Sequence, residues 1–206
     1  MSFITLPTNQ RITVCGVDEL PDRIAACSSP PAVLSIEHPE AQEGKGKAPD
    51  LTGRVYAQNV QVYFDITQPL KPLSPTVAMV AQGLSFLRAH PHQDLIVHCQ
   101  HGMARSTAMV ALFMAGIYGD GHENQIIEAL LGIRPIAAPN PLMILKSRKL
   151  VLAKALVNHP TIFANMETAH QHRLAWLARN PKMVEQHFAG RQLRPLHAHL
   201  RKLFSR

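Results

Sequence analysis

Ile96-Val97-His98-Cys99-Gln100-His101-Gly102-Met103-Ala104-Arg105-Ser106-Thr107 sets a thiol, a glycine and an arginine at fixed offsets between two apolar runs. Leu95 to Val97 reads as a buried strand entering this stretch, and Ser106 through Tyr118, nearly all apolar, reads as a buried helix leaving it. Strand, tight loop and helix together place the loop on a helix N-terminus. Unpaired N–H groups and the positive end of the helix dipole favour an anion there. Gly102 lets the chain curl so that successive N–H groups converge, and Arg105 adds a planar two-pronged donor suited to a phosphate. The same field favours a thiolate, because thiols at helix N-termini near cations ionise well below about pH 8.5. Cys99 is therefore a candidate nucleophile.

Working outward, strands and helices alternate. Arg11 to Val17, Ala32 to Ile36 and Tyr56 to Asp65 read as strands, and Glu19 to Ala26 as a short helix. Thr76 to Ala89 carries Val77, Val80, Leu84 and Leu87 at helical spacing after Pro75. Further helices are expected over His122 to Leu131 and from Pro141 to about Val157, with Asn140 as N-cap and Pro141 at the first helical position. This order predicts an α/β fold, a three-layer sandwich with a largely parallel central sheet flanked by helices. The expected organisation is a catalytic domain over residues 1–158 and a basic helical extension over 159–206.

The pattern His-Cys-x2-Gly-x2-Arg-Ser at 98–106 resembles the signature of the protein tyrosine phosphatase superfamily of cysteine-dependent phosphatases, most closely its compact dual-specificity-like and bacterial members. The resemblance covers roughly residues 10–158 and implies the same α/β sandwich. It implies that Cys99 forms a phosphocysteine, that Arg105 binds the phosphoryl oxygens and that the Ser106 hydroxyl helps the thiolate leave. It also implies that His98 orders the loop and that Gln100, His101, Gly102, Met103 and Ala104 contribute mainly backbone N–H groups. Relatives of this type carry an Asp some thirty to thirty-five residues before the Cys, on a loop after a strand. Asp65, 34 residues upstream of Cys99 and followed by Thr67-Gln68-Pro69, fits that place as general acid. Asp50 lies too far upstream, and Asp94 stands at the opposite end of the strand. Rhodanese-type sulfurtransferases have four residues between Cys and Arg, whereas five separate Cys99 from Arg105. Low-molecular-weight phosphatases carry their loop near the N-terminus, and here it lies mid-chain.

The expected function is a phosphatase for protein phosphotyrosine, or one of dual specificity. Its substrate is a phosphorylated protein or small phosphomonoester, and it works without metal or organic cofactor, because Arg105 and the helix N-terminus supply the positive charge. Phosphatases of inositol, lipid or sugar phosphates are the alternative within the same class, and a noncatalytic phosphoresidue-binding module is the alternative outside it. The 12 histidines invite a metal reading, but His98 and Cys99 are neighbours on a strand and point to opposite faces. Cys15 and Cys27 read as packing residues.

Of the formal net charge of +7, six charges fall in 161–206, where eight Lys or Arg face Glu167 and Glu185. Leu196, Leu200, Leu203 and Phe204 recur at helical offsets among basic residues. The helix there is expected to pack on the core or on a second subunit with its charged face solvated, and association with an anionic surface is the alternative; nucleic acid is not expected, since aromatic interleaving is missing and Trp176 reads as a packing residue. With no basic, apolar leader and no apolar run of about twenty residues, a cytoplasmic location is expected.

Overall fold

The computed structural model describes residues 3–41, 47–67 and 74–181. A five-stranded sheet runs in the order β1-β2-β5-β3-β4, built from β1 (Ile4–Thr5), β2 (Arg11–Gly16), β3 (Ala32–Glu37), β4 (Ala57–Val62) and β5 (Leu95–Cys99). β2, β5, β3 and β4 are parallel, and only the two-residue β1 pairs antiparallel. Every residue of β5 is buried, which follows from its central place and explains why its sequence is a continuous apolar run instead of an alternating one.

The helices divide unevenly between the two faces. On one side α1 (Leu20–Ala25) covers a small core of Cys15, Leu20, Val33, Leu51 and Ile96. The other side carries α2 (Val77–Arg88), α3 (Arg105–Tyr118), α4 (Glu123–Ile133), α5 (Pro141–Lys146), α6 (Leu150–Asn158) and α7 (Pro160–Arg179) over the main core. In α3 every residue from Arg105 to Ala115 is buried, since it lies between the sheet and α2, α4 and α5. A helix enclosed all round has no polar face to show, so its apolar sequence is a consequence of its position. The expected α/β class and largely parallel sheet are thus observed.

Three details differ from the sequence reading. The strand expected over 56–65 stops at Val62, after which Tyr63 and Phe64 turn into the interior. In α2 the Thr76 side chain accepts from Met79 N, and Val80 and Leu87 are buried, but Val77 in the first turn is 58% exposed. The single helix expected from Pro141 to about Val157 is two, interrupted at Ser147–Lys149, where Arg148 adopts a positive φ of 61°. Such a backbone state ends an α-helix.

α7 begins beyond residue 158, yet its Ile162, Met166 and Ala169 belong to the main core. The amphipathic pattern at Leu196 to Phe204 lies outside the described residues. Among the described residues no helix is long and apolar enough to cross a membrane.

Candidate active site

Cys99 is the last residue of β5, and Arg105 the first of α3, so the sheet and the central helix hold the two ends of the loop. The thiol is 3% exposed, with its Sγ 3.2 Å from Ser106 Oγ. Burial alone would push its pKa up. The Arg105 guanidinium, the Ser106 hydroxyl and the Ser106 backbone N–H outweigh that and hold it below the ordinary thiol value.

The loop's carbonyls are all engaged away from the sulfur. Gln100 O accepts from Val17 N at 3.2 Å, Met103 O from Ala138 N at 2.9 Å and Ala104 O from Asn140 N at 3.1 Å. His101 O and Gly102 O accept from Arg134 Nη2 and Nε at 2.7 and 3.0 Å, and Arg134 is itself fixed by Glu19, whose carboxylate oxygens lie 2.8 and 2.9 Å from its Nη1. With the carbonyls engaged by these donors, it is the loop N–H groups that remain to serve an anion in the cavity. Gly102 makes this possible. Its φ is +62°, and a Cβ there would stand 2.4 Å from Cys15 C and 2.6 Å from Gly16 N, so the loop seats directly on the end of β2.

Arg105 is 4% exposed. Its Nη1 donates to Tyr63 O at 3.1 Å, and its Nε is buried without a hydrogen-bond partner among the described residues. A buried guanidinium N–H left unpaired costs on the order of 1–3 kcal/mol, a cost that an arriving phosphate oxygen would remove.

Asp65 follows two residues after Tyr63. Asn140 Nδ2 donates to its Oδ1 at 2.7 Å and to Ile66 O at 3.1 Å, while Asn140 Oδ1 accepts from Leu142 N and Met143 N at the start of α5. From α7, Arg173 Nη2 donates to Asp65 Oδ1 at 3.3 Å, and Arg173 Nε lies 3.2 Å from Oδ2. Burial raises the carboxyl's pKa, but Arg173, Arg105 and Asn140 bring it below the usual carboxylate range. Beside it the His38 ring packs edge-on between Phe64 and Trp176, at centroid distances of 4.7 and 4.9 Å. Burial lowers the pKa of His38 to about 4, so the stack is uncharged at neutral pH.

One cavity of about 1290 Å³ is lined by Cys99, Gln100, His101, Met103, Ala104, Arg105 and Asp65, with Arg173 and Trp176 on the facing wall. The expected nucleophile, arginine and acid are therefore brought together. Ser106 is fully buried under the thiol, and Gly102 supports the loop from below. His98 faces the other way. Its Nε2 and Ser35 Oγ share a 2.7 Å bond on β3, and burial lowers its pKa to about 4. Asp50 is bonded to Thr52 in an exposed turn, and Asp94 pairs with Arg11 at the far end of β5. Cys15 packs on the opposite face of the sheet from Cys99, and burial drives its thiol up to about 12. Among the described residues no group of three His, Cys, Asp or Glu side chains could hold a metal.

Three residues important to the site are not in the motif. Asn140 is readable in sequence first as an N-cap, and the resemblance of its Pro-Asn segment to those of compact bacterial phosphatases leaves a place at the pocket edge open to it and to Arg134. For Arg173, separated from Asp65 by 108 positions, no local pattern exists.

These features define an α/β protein with a Cys-x5-Arg loop between a central strand and a buried helix. More particularly, the fold is that of the protein tyrosine phosphatase and dual-specificity phosphatase-like proteins. The human tyrosine phosphatase-like serine/threonine/tyrosine-interacting protein is similar with a TM-score of 0.54 and 13% identity, over 72% of this chain and 94% of that one. PTPMT1 in complex with PI(5)P gives a TM-score of 0.52 and 20% identity, over 74% and 98%. Human DUSP28 gives 0.51 and 18%, over 75% and 97%. No protein-family model matches the chain, and no curated protein matches it.

Proposed function

We propose that the chain is a cysteine-dependent phosphomonoester hydrolase acting on protein phosphotyrosine or with dual specificity. The observation that carries this reading is the convergence on one cavity of a thiol favoured as thiolate, a buried arginine with an unpaired N–H and a carboxyl. A binding module has use for the arginine and the amides but none for a thiolate aimed at the same point. The edge-stacked Phe64, His38 and Trp176 on the wall suit an aryl leaving group.

In the first step Cys99 Sγ attacks phosphorus in line. The S–P bond forms as the P–O bond breaks, and the leaving oxygen takes the proton of Asp65. The loop N–H groups and Arg105 hold the three equatorial oxygens as charge develops on them. In the second step water attacks the phosphocysteine and gives a proton to the Asp65 carboxylate. The S–P bond breaks, and the Ser106 hydroxyl 3.2 Å away donates to the departing thiolate.

The test is release of p-nitrophenol from p-nitrophenyl phosphate in EDTA by the wild type, Cys99→Ser and Asp65→Asn. Turnover lost in Cys99→Ser and reduced by about 10²- to 10⁴-fold in Asp65→Asn supports the reading. Absence of wild-type turnover above the Cys99→Ser background contradicts it. A second reading, a phosphoinositide or other nonprotein phosphate as substrate, is supported by the likeness to PTPMT1, whose structure holds PI(5)P. Comparison of kcat/KM for a phosphotyrosyl peptide and for PI(5)P decides between the two.

The three free thiols suit a reducing, cytoplasmic setting. The basic segment is best tested for anionic-surface or self-association by deleting residues 182–206, since a deletion from 161 would strip Ile162, Met166 and Ala169 from the core.

A further inference from the structure

In the acid step the Asp65 proton must sit on one of two carboxylate oxygens. Oδ1 already accepts from Asn140 Nδ2 and Arg173 Nη2, which leaves Oδ2. Oδ2 in turn stands 3.2 Å from Arg173 Nε, itself an N–H donor. Protonation of Oδ2 would discharge the carboxylate and forfeit its ion pair with that guanidinium, whereas an ionised Oδ2 is matched to it. The Nε contact is close enough for an ion pair but is not aligned as a hydrogen bond, so Nε can part from Oδ2 with no hydrogen bond of its own to break, and the one long bond from Nη2 to Oδ1 is the remaining tie. α7 is fastened to the same segment a second time, because Trp176, one turn from Arg173, closes the stack on His38 and Phe64.

Resting on the phosphatase reading, we propose that Arg173 of α7 is a positioning residue for Asp65. It presents the carboxylate ionised, as the hydrolysis of phosphocysteine requires, and withdraws from Oδ2 when Asp65 protonates the leaving oxygen. The helix after residue 158 is then part of the catalytic apparatus. Arg173 favours the second step at the expense of the first, and turnover of substrates with poor leaving groups is set by how readily the pair opens. The other ionisable groups that bear on Asp65 are Arg105, Cys99, Tyr63, His38 and His101, with His170 and His172 of α7 on the same cavity. His38 is uncharged at neutral pH. Arg105 is committed to the phosphate, so Arg173 is the cation that can move.

The experiment is the pH profile of kcat/KM for phenyl phosphate, a poor leaving group, in full-length wild type, Arg173→Met, Arg173→Lys and Trp176→Leu, with Asp65→Asn as reference. The alkaline limb reports loss of the Asp65 proton. Removing the cation that lowers its pKa moves the limb to higher pH, and an opposite charge at this range changes protonation by about tenfold or more. Arg173→Met should raise kcat/KM near pH 7 by about tenfold and give a burst of phenol as the second step slows. Arg173→Lys should restore much of the wild-type limb, and Trp176→Leu, by loosening α7, should move it the same way as Arg173→Met. Asp65→Asn should have no limb. An unmoved limb in Arg173→Met and Trp176→Leu, both folded by thermal unfolding, overturns the proposal while wild-type activity stands. If the wild type itself does not exceed Cys99→Ser, the phosphatase reading has failed and the role of Arg173 falls with it.

Discussion

Gly102→Ala separates backbone strain from loop placement when it is read against Gly119→Ala. Both glycines have positive φ, +62° and +79°, and Gly119 also has ψ −173°, a region essentially kept to glycine, so alanine incurs a strain of about 1–2 kcal/mol at Gly102 and about 1–3 kcal/mol at Gly119. They differ in surroundings. At Gly119 nothing lies within 4 Å of an added Cβ, whereas at Gly102 the Cβ would meet Cys15 C at 2.4 Å, Cys15 O at 2.6 Å and Gly16 N at 2.6 Å. All three are backbone atoms of β2 and its end, so no side chain can swing aside. The nearest is about 1 Å inside ordinary contact, and the loop must lift by about that much, at a further cost of about 1–3 kcal/mol. At about 2–4 °C of Tm per kcal/mol for a chain of this size, Gly119→Ala should lose roughly 2–12 °C and Gly102→Ala roughly 4–20 °C. A displacement of about 1 Å at reacting groups costs about 10²-fold in rate, so kcat/KM should fall by that order in Gly102→Ala and stay near wild type in Gly119→Ala. Differential scanning calorimetry and p-nitrophenyl phosphate kinetics read both quantities. Equal Tm loss and equal kcat/KM in the two variants would refute the seating of the loop on β2.

Three further outcomes are expected. Iodoacetamide near pH 7 should label Cys99 first and should be blocked by vanadate, because its thiol lies below the ordinary range, while burial holds Cys15 at about 12 and Cys27 at about 11. As pH falls through the lowered Cys99 value the labelling rate should drop, and tandem mass spectrometry of the labelled peptides checks the order. Arg105→Lys keeps the charge but loses the planar fork, so kcat/KM should fall by about 10²- to 10³-fold and vanadate should bind more weakly in a competition assay. Asn140→Ala removes the cap of α5 and a hydrogen bond that lowers the Asp65 pKa, so urea unfolding should show a loss of about 0.5–2 kcal/mol, and the alkaline limb of kcat/KM for phenyl phosphate should move to higher pH.

The parts legible in sequence were those whose causes are local. A run of apolar residues on both sides of Cys99 identifies a central strand and an enclosed helix, and Gly102 and Arg105 declare an anion loop by their chemistry. Asp65 was reached through a resemblance in spacing, and the cavity places it with Cys99 and Arg105. The interruption at Ser147–Lys149 was not legible, because Ser-Arg-Lys contains neither Gly nor Pro to mark the positive φ that Arg148 adopts. Asn140 was legible as a cap but not as a partner of Asp65, since its amide and its carbonyl serve different elements. The contact of Arg173 with Asp65 arises only when α7 folds back over the cavity, and a helix carrying scattered basic residues does not announce which of them meets an acid.

The central claim is a covalent phosphocysteine at Cys99. Rapid quench of Asp65→Asn with p-nitrophenyl phosphate, followed by intact-protein and peptide mass spectrometry, tests it most directly, because loss of the general base slows hydrolysis of the intermediate. The account predicts one added phosphoryl group per chain, located on the peptide containing Cys99 and missing in Cys99→Ser. Turnover by the wild type with no phosphorylated Cys99 peptide in Asp65→Asn at any quench time would contradict it.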